Sequence, residues 1–143
     1  MVRIMFAASV SIFVAGCATS QVSPNQAKLA PADRLFAFQE KTSQASSTLT
    51  VTRDSGLLGG GCFLAFNLDG IRAARFDPGE TARFYVEPGE HLLSVRPDAD
   101  GSGLCAIPGI QNSARETTLR QNETKNFRIM MDINGTADIQ RTD

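Results

Sequence analysis

The chain has 143 residues, of which 42% are apolar and 20% charged, and its 14 basic and 15 acidic side chains give a formal net charge of −1. This length fits one domain of ordinary size. The balanced charge disfavours a nucleic-acid-binding protein, which needs a basic surface to neutralise phosphates. The apolar content disfavours a disordered chain. With one histidine, three cysteines and no tryptophan, few catalytic or metal-binding constellations are possible, and we expect no cofactor.

The N-terminus has the organisation of an export signal. Arg3 precedes a predominantly apolar run over residues 4–14. As a helix this run would span roughly 16 Å, at about 1.5 Å per residue. It is too short to cross a hydrocarbon core of about 30 Å, and its length is typical of a signal peptide. We therefore predict that residues 1–16 are a signal peptide.

The apolar run ends in Val-Ala-Gly-Cys at residues 14–17, which resembles the lipobox of bacterial lipoproteins. The resemblance implies cleavage before Cys17, a diacylglycerol thioether on its sulfur and an acyl chain on the new amine. Three acyl chains would anchor the protein stably to a membrane. In the sorting rule of enterobacterial lipoproteins, a residue such as Ala18 after the cysteine permits export. We therefore expect a lipid-anchored protein of the outer membrane that faces the periplasm.

The residue composition changes between a predicted tether and a predicted folded domain. Residues 17–32 are predicted to be the lipidated cysteine and a flexible tether, because their small polar residues and prolines show no helix or strand periodicity. Short apolar runs separated by turn residues follow, the first at residues 35–39. The next predicted strand, residues 48–53, alternates threonines with Leu49 and Val51 and is expected to be half-buried.

Turn signals delimit the strands that follow. Cys62, Leu64, Phe66 and Leu68 alternate and are predicted to face inward. Asp69-Gly70 lies between this run and residues 71–76 and predicts a tight hairpin. Residues 77–86 and 87–95 nearly repeat each other, and each predicts a Pro-Gly turn that leads into a strand. Further short strands are predicted over residues 104–107, 117–120, 127–131 and 137–139, with a hairpin-like gap at residues 121–124.

These patterns together predict the fold class. No window of the chain keeps a sustained helical spacing of apolar residues. Eight or nine short strands at this turn spacing are typical of an all-β domain. We expect a single small antiparallel β-sandwich over residues 33–143.

With Cys17 assigned to lipid, Cys62 and Cys105 remain in a chain bound for an oxidising compartment. A disulfide between them would close a loop of about 44 residues and stabilise the fold by about 4 kcal/mol. A zinc site with His91, or a redox pair, is the alternative, but the three residues are widely scattered and no Cys-x-x-Cys spacing occurs. We predict a structural disulfide and no metal.

Two other features are candidates for function. His91 is the only histidine, so it is the only candidate base for a hydrolase of the serine–histidine type. No serine lies in the Gly-x-Ser-x-Gly context that is typical of a nucleophile. We expect its ring to bind a turn or to pack at a sheet edge. The glycine-rich loop Leu57, Leu58, Gly59, Gly60 and Gly61 lacks the Lys-Ser/Thr of a phosphate loop and is predicted to be a contact loop.

A family resemblance rests on several segments. They are residues 34–38, residues 51–54, the glycine-rich approach to Cys62, residues 68–70, residues 78–80 and residues 84–95. In this order they resemble a group of small proteobacterial lipoproteins that carry an uncharacterised domain. The Asp-Gly hairpin and the Pro-Gly-x-His-x-Leu segment are also similar to PEGA-type modules. The resemblance implies a small β-sandwich and no particular activity.

The functional hypothesis is a non-catalytic, protein-binding accessory or assembly component of the cell envelope. We expect membrane attachment through Cys17, one envelope protein partner and no nucleic acid. An edge strand or the loop 57–61 would be the contact surface. One alternative is an inhibitor of a lytic enzyme, and another is a small envelope hydrolase that uses His91.

Overall fold

The computed structural model describes residues 19–56, 61–98, 100, 113–132 and 134–143. These residues form one short 3₁₀ turn at Ala32–Arg34 and nine β-strands. The strands are β1 (Lys28–Leu29), β2 (Ser47–Arg53), β3 (Leu64–Leu68), β4 (Ile71–Phe76), β5 (Glu80–Val86), β6 (Gly89–Pro97), β7 (Ser113–Leu119), β8 (Thr124–Met131) and β9 (Ala137–Arg141). One sheet has the strand order β1-β5-β2-β8-β9, and the other has the order β4-β3-β6-β7. The predicted all-β sandwich is confirmed.

The two sheets enclose one hydrophobic core. Alternate residues of the strands supply it, as period-two burial requires. Three phenylalanines lie at its centre, with ring centroids 5.0 Å apart for Phe66 and Phe84 and 6.5 Å apart for Phe66 and Phe76. All three rings are fully buried. Burial of this apolar surface is the main force that holds the sheets together.

The local turn signals are confirmed by the backbone. Asp69 and Gly70 have φ angles of 51° and 79°, and Leu68 pairs with Ile71 across the turn. Positive φ at both central residues is the conformation that joins twisted antiparallel strands without splaying them. Gly79, at the first Pro-Gly turn, has a φ of 77°. This turn leads from β4 to β5, and so from one sheet to the other.

The gap at residues 121–124 is a turn, but the predicted hairpin is wrong. β7 lies in the four-stranded sheet and β8 in the five-stranded sheet, so the turn crosses between the layers. The Glu123 N–H donates to the Arg120 carbonyl at 3.1 Å, and the Arg120 N–H donates to the Glu123 carboxylate at 2.7 Å. A tight turn can make these contacts whether the next strand joins the same sheet or the opposite one.

Strand pairing is not purely antiparallel. Five of the seven pairs are antiparallel, but β1 runs parallel to β5 and β2 runs parallel to β8. β2 is therefore a central strand, and its threonine face is covered: Thr50 is 7% and Thr52 is 1% exposed. The expectation of a half-buried strand is wrong here because the Thr52 hydroxyl is buried against the Thr81 hydroxyl at 2.8 Å.

The N-terminal segment joins the domain earlier than predicted. Within the predicted tether, β1 pairs with β5 and Ala30 is 7% exposed in the core. The predicted strand at residues 35–39 is also wrong: only Leu35 forms a bridge, to Ala74, and Phe38 has a φ of 63°. Both segments instead cover the outer edges of the sheets. The predicted strand at residues 104–107 lies outside the described residues.

Buried charges stabilise one corner of the sandwich. Arg53 is 2% exposed, and its Nη1 donates to the carbonyls of Cys62 at 2.6 Å and Phe76 at 2.7 Å. Burial lowers the pKa of Arg53 to about 10, against the opposing effect of Asp77 and Glu80. The guanidinium therefore stays charged at neutral pH and holds β2 against the other sheet.

No helix among the described residues is long and apolar enough to span a membrane.

Candidate functional site

Most of the predicted site residues lie outside the described part of the chain. These are Cys17, Cys105 and the loop residues Leu57, Leu58, Gly59 and Gly60. Gly61, the last residue of the predicted contact loop, is exposed. Cys62 is half-buried and disulfide-bonded. Its pairing with Cys105 stays a prediction, as do the lipid anchor and the contact loop.

His91 lies near the start of β6, and its ring is held at both nitrogens. Nδ1 is 2.7 Å from Oδ2 of Asp69, and Nε2 is 2.8 Å from the carbonyl oxygen of Glu87. The other carboxylate oxygen of Asp69 accepts from the Leu92 N–H at 2.8 Å. Both ring contacts are acceptors, and a neutral imidazole donates to only one of them. The ring therefore ties the β3–β4 hairpin to the turn before β6, as the sequence predicted.

A cleft opens beside His91 between the two sheets. The cleft is open to solvent and has a volume of about 680 Å³. Its lining comes from β6, β7, β8, β9 and the β3–β4 hairpin and consists of Asp69, Glu90, His91, Leu92, Arg115, Glu116, Thr117, Thr118, Lys125, Phe127 and Arg141. A volume of this size suits a small ligand or a few residues of a peptide.

The register of the strands explains why the cleft is polar. In β8, Phe127 and Ile129 face the core, so Lys125 at the same alternation also faces inward. In β9, Arg141 continues the alternation of the buried Ile139. Positions that carry apolar side chains elsewhere in the sandwich therefore carry cations at this end.

The same alternation in β6 and β7 brings polar side chains to the opposite wall. His91 lies two residues before the buried Leu93, and it pairs with Thr117 of β7. Arg115, two residues earlier in β7, pairs with Leu93. A sandwich that only needed a core would place apolar residues at these positions, so the polar lining requires another explanation.

Contacts between β7 and β9 close the sandwich at the other end of the cleft. The Ser113 hydroxyl donates to the Asp138 carboxylate at 2.5 Å, and Nε of Arg115 donates to the Ile139 carbonyl at 2.6 Å. Burial disfavours the charged form of Asp138, but hydrogen bonds from Ser113 and Gln140 outweigh it and lower its pKa. These contacts join the two sheets near Ser113, on one side of the cleft.

Lys125 and Arg141 differ in how firmly internal partners hold them. Lys125 donates to the Thr118 carbonyl at 2.5 Å and lies 3.9 Å from the Glu123 carboxylate. Arg141 pairs with Asp143 at 3.0 Å, which raises the pKa of Arg141, and both side chains are more than one third exposed, at 47% and 35%. Exposed ion pairs of this kind contribute little and exchange readily for other anions.

The alternation of residues along β8 and β9 includes these cations, but the predicted strands, over residues 127–131 and 137–139, exclude them. Each alternation continues by one more step, to Lys125 and to Arg141. Because a charged residue at an inward position usually marks the end of a strand, its sequence pattern alone does not separate a cleft from a solvated terminus.

The chemistry of the cleft favours binding. Both nitrogens of His91 are already engaged by Asp69 and Glu87, so neither faces a hydroxyl or a thiol as a general base would. Among the described residues, no three His, Cys, Asp or Glu side chains come together as metal ligands. The cleft presents three cationic side chains, three carboxylates and two threonine hydroxyls.

The His91→Ala variant is expected to lower the free energy of unfolding by about 1 to 2 kcal/mol, because the contacts of the ring to the Asp69 carboxylate and the Glu87 carbonyl are lost. Urea denaturation followed by circular dichroism measures this change. Glu90→Gln, one residue earlier and exposed, is the matched control and should change the stability by no more than about 0.5 kcal/mol. An unchanged midpoint for His91→Ala would mean that the ring does not tie the hairpin to the turn.

Comparisons with known proteins add no identification. No protein-family model matches the chain, and a search of curated proteins finds no match. The resemblance to small proteobacterial lipoproteins and to PEGA-type modules therefore stays a prediction.

Proposed function

We propose that this protein is a lipid-anchored, non-catalytic binding component of the cell envelope. Its anchor would be Cys17, in the outer membrane and on the periplasmic side, as the lipobox-like sequence predicts. The domain would act as an accessory or assembly component by holding one envelope protein. This proposal joins the sequence of the N-terminus to the geometry of the cleft.

The observation that carries the binding role is the exposed edge at β7. β7 ends the four-stranded sheet, and among the described strands only β6 pairs with it. Ala114, Arg115 and Glu116 are exposed. An edge strand of seven residues offers backbone donors and acceptors to an added strand.

The edges at β4 and β5 are covered by N-terminal segments, whereas among the described strands β7 and β9 each have a partner on one side only. The Phe36 N–H donates to the Ala73 carbonyl at 2.8 Å, and β1 pairs with the outer side of β5. Natural β-proteins protect edges that must not pair. The chain protects the edges at β4 and β5 with its own N-terminal segments, whereas β7 keeps an exposed face beside the cleft.

The two other functions account for fewer of these features. An inhibitor of a lytic enzyme would insert a loop into its target, and the loop 57–61 is the candidate for that role. A hydrolase centred on His91 would need one ring nitrogen available to a nucleophile, but the Asp69 and Glu87 contacts occupy both. Neither alternative explains the inward-facing cations.

Photo-crosslinking in intact cells tests the proposed function. A photo-reactive residue replaces Glu116 on β7 in one strain and Leu58 in another. The control strain carries it at Arg83, an exposed position on the other sheet. We expect one stoichiometric envelope protein to be captured from position 116 and none from position 83.

Each other outcome has a definite meaning. Capture from position 58 alone would place the contact on the glycine-rich loop and favour the inhibitor role. Absence of a partner at both positions, with the protein folded and in the membrane fraction, would contradict a binding role. Loss of the cellular phenotype in His91→Ala with capture unchanged would favour the hydrolase.

A further inference from the structure

The charged side chains at the inward strand positions of the cleft are all cationic. Arg115, Lys125 and Arg141 reach it from three different strands, all at inward alternations. The acidic residues of the lining are placed differently. Glu90 and Glu116 occupy the outward alternation at the rim of the cleft. The Asp69 carboxylate is already held by His91.

This arrangement is suited to a carboxylate-bearing ligand. Arg115 lies 3.8 Å from the Asp138 carboxylate and its side chain is 46% exposed, so its guanidinium keeps donors for another acceptor. Arg141 has an exposed partner at the chain terminus, Asp143. Guanidinium groups bind carboxylates with paired hydrogen bonds and are the preferred residues for this contact.

A ligand that pairs with the edge of β7 must have an extended backbone. A strand added beside β7 places every second side chain toward the cleft, roughly 7 Å apart. The side chains of Ser113 and Arg115 already bond β9 across the N-terminal half of β7, on the inner face of the sheet. An added segment would lie along Glu116–Leu119, beside the cleft, with its inward side chains near Arg115 and Arg141. It would take the Thr118 carbonyl from Lys125, whose ammonium would then be available to a carboxylate.

We infer that the cleft receives an extended acidic segment of a protein partner, laid along the C-terminal half of β7 with carboxylates at alternate positions. This inference rests on the proposed function and names the chemistry of the partner. Lys125 would contribute at the floor of the cleft, where its side chain is 11% exposed and its ammonium donates to the Thr118 carbonyl. A carboxylate there would replace the distant Glu123.

Fluorescence anisotropy with labelled peptides tests the inference. The probe is an octapeptide of alternating glutamate and threonine, and the matched peptide has glutamine in place of glutamate. The full lipidated protein in detergent should bind the glutamate peptide at least about tenfold more tightly, with an affinity that falls as salt is added. Equal affinities for the two peptides would overturn the inference.

Variants locate the site. Arg141→Gln and Arg115→Gln are each expected to weaken the glutamate peptide by about fivefold to tenfold. Arg83→Gln removes an exposed arginine from the other sheet and should leave the affinity unchanged. Circular dichroism establishes that each variant is folded. An equal loss in Arg83→Gln would mean non-specific attraction and would contradict a site in the cleft.

Amide hydrogen exchange separates strand addition from simple anion capture. Bound peptide should slow exchange at the β7 amides, and free glutamate at the same carboxylate concentration should not. Binding without protection of β7 would overturn the extended geometry. Preference for vesicles of phosphatidylglycerol and phosphatidylcholine over the peptide would assign the cations to a lipid surface instead.

The inference and the proposed function can fail separately. If the peptide does not bind but position 116 still captures one envelope protein, the acidic-segment inference is wrong and the binding function stands. If the peptide does not bind and capture also fails, both are wrong. If the peptide binds and the captured partner has no acidic segment, the inference about the partner is wrong.

Discussion

Replacing Arg53 with methionine is expected to lower the free energy of unfolding by about 3 to 5 kcal/mol. The substitution keeps much of the side-chain volume but removes the N–H groups that donate to the Cys62 and Phe76 carbonyls. Those carbonyls would lose this donor in a buried part of the molecule, where Arg53 itself is 2% exposed. The acids Asp77 and Glu80 would also lose a nearby positive charge.

Urea denaturation of the purified protein measures this effect, with Arg83→Met as the matched control. Arg83 lies on the same sheet but is exposed, so its substitution should change the stability by no more than about 0.5 kcal/mol. Arg53→Lys keeps the charge but replaces the guanidinium whose Nη1 reaches both carbonyls, and we expect it to be destabilised too. A stable Arg53→Met variant would show that the corner packs well without a buried charge.

A change of pH near neutrality does not remove the charge of Arg53 and so does not reproduce the effect of Arg53→Met. The pKa of Arg53 is lowered to about 10 by burial, so the side chain stays charged below that pH and burial of the charge opposes folding. Between that value and its ordinary pKa of 12.5, the unfolded chain binds the proton more strongly. The contribution of this group to stability therefore rises with pH in that range alone.

Local sequence patterns predicted the parts of the fold that depend on neighbouring residues. Asp69 and Gly70 form the predicted hairpin because both tolerate positive φ at low cost. The alternation of Leu64, Phe66 and Leu68 predicted an inward face, and all three are buried. These features require only a few residues, and their physical cause is contained within the turn or the strand.

Long-range pairing was not predictable in the same way. The parallel contact of β2 with β8 joins residues such as Val51 and Phe127, which are far apart in the chain. Periodicity states which face of a strand is buried but not which strand lies beside it. The segment around Lys28 and Leu29 gives an even weaker signal, since two exposed residues pair through their backbones alone.

The cleft falls between these two cases. The sequence shows that Lys125 and Arg141 lie next to strands, but only the sheet order brings them to one cavity with Arg115. His91 illustrates the same limit: its role at a turn was predicted, whereas its partner Asp69 comes from the preceding hairpin. Binding sites built from several strands therefore depend on topology more than on motifs.

Loss of the disulfide is the other change with a large expected effect. If Cys62 is paired with Cys105, replacing both by serine removes a cross-link that closes a loop of about 44 residues and lowers the free energy of unfolding by about 4 kcal/mol. For a domain of this size that is a large share of a net stability of roughly 5 to 15 kcal/mol. Each single variant should be destabilised by a similar amount.

Thiol labelling identifies the pairing. In the unreduced protein we expect iodoacetamide to label neither Cys62 nor Cys105, and reduction to make both reactive. Reduction should also lower the stability of the native protein but not of the double serine variant. Label on Cys105 without reduction would mean that Cys62 has another partner.

Combining the cysteine and arginine substitutions gives the strictest test of this corner, since Arg53 donates to the carbonyl of Cys62. If the cross-link holds that carbonyl in place, Arg53→Met should cost less once the cysteines are replaced, because the contact is already weakened. The two effects would then fall short of their sum by more than about 0.5 kcal/mol, the limit for independent sites. Strict additivity would mean that the buried charge and the disulfide stabilise the sandwich independently.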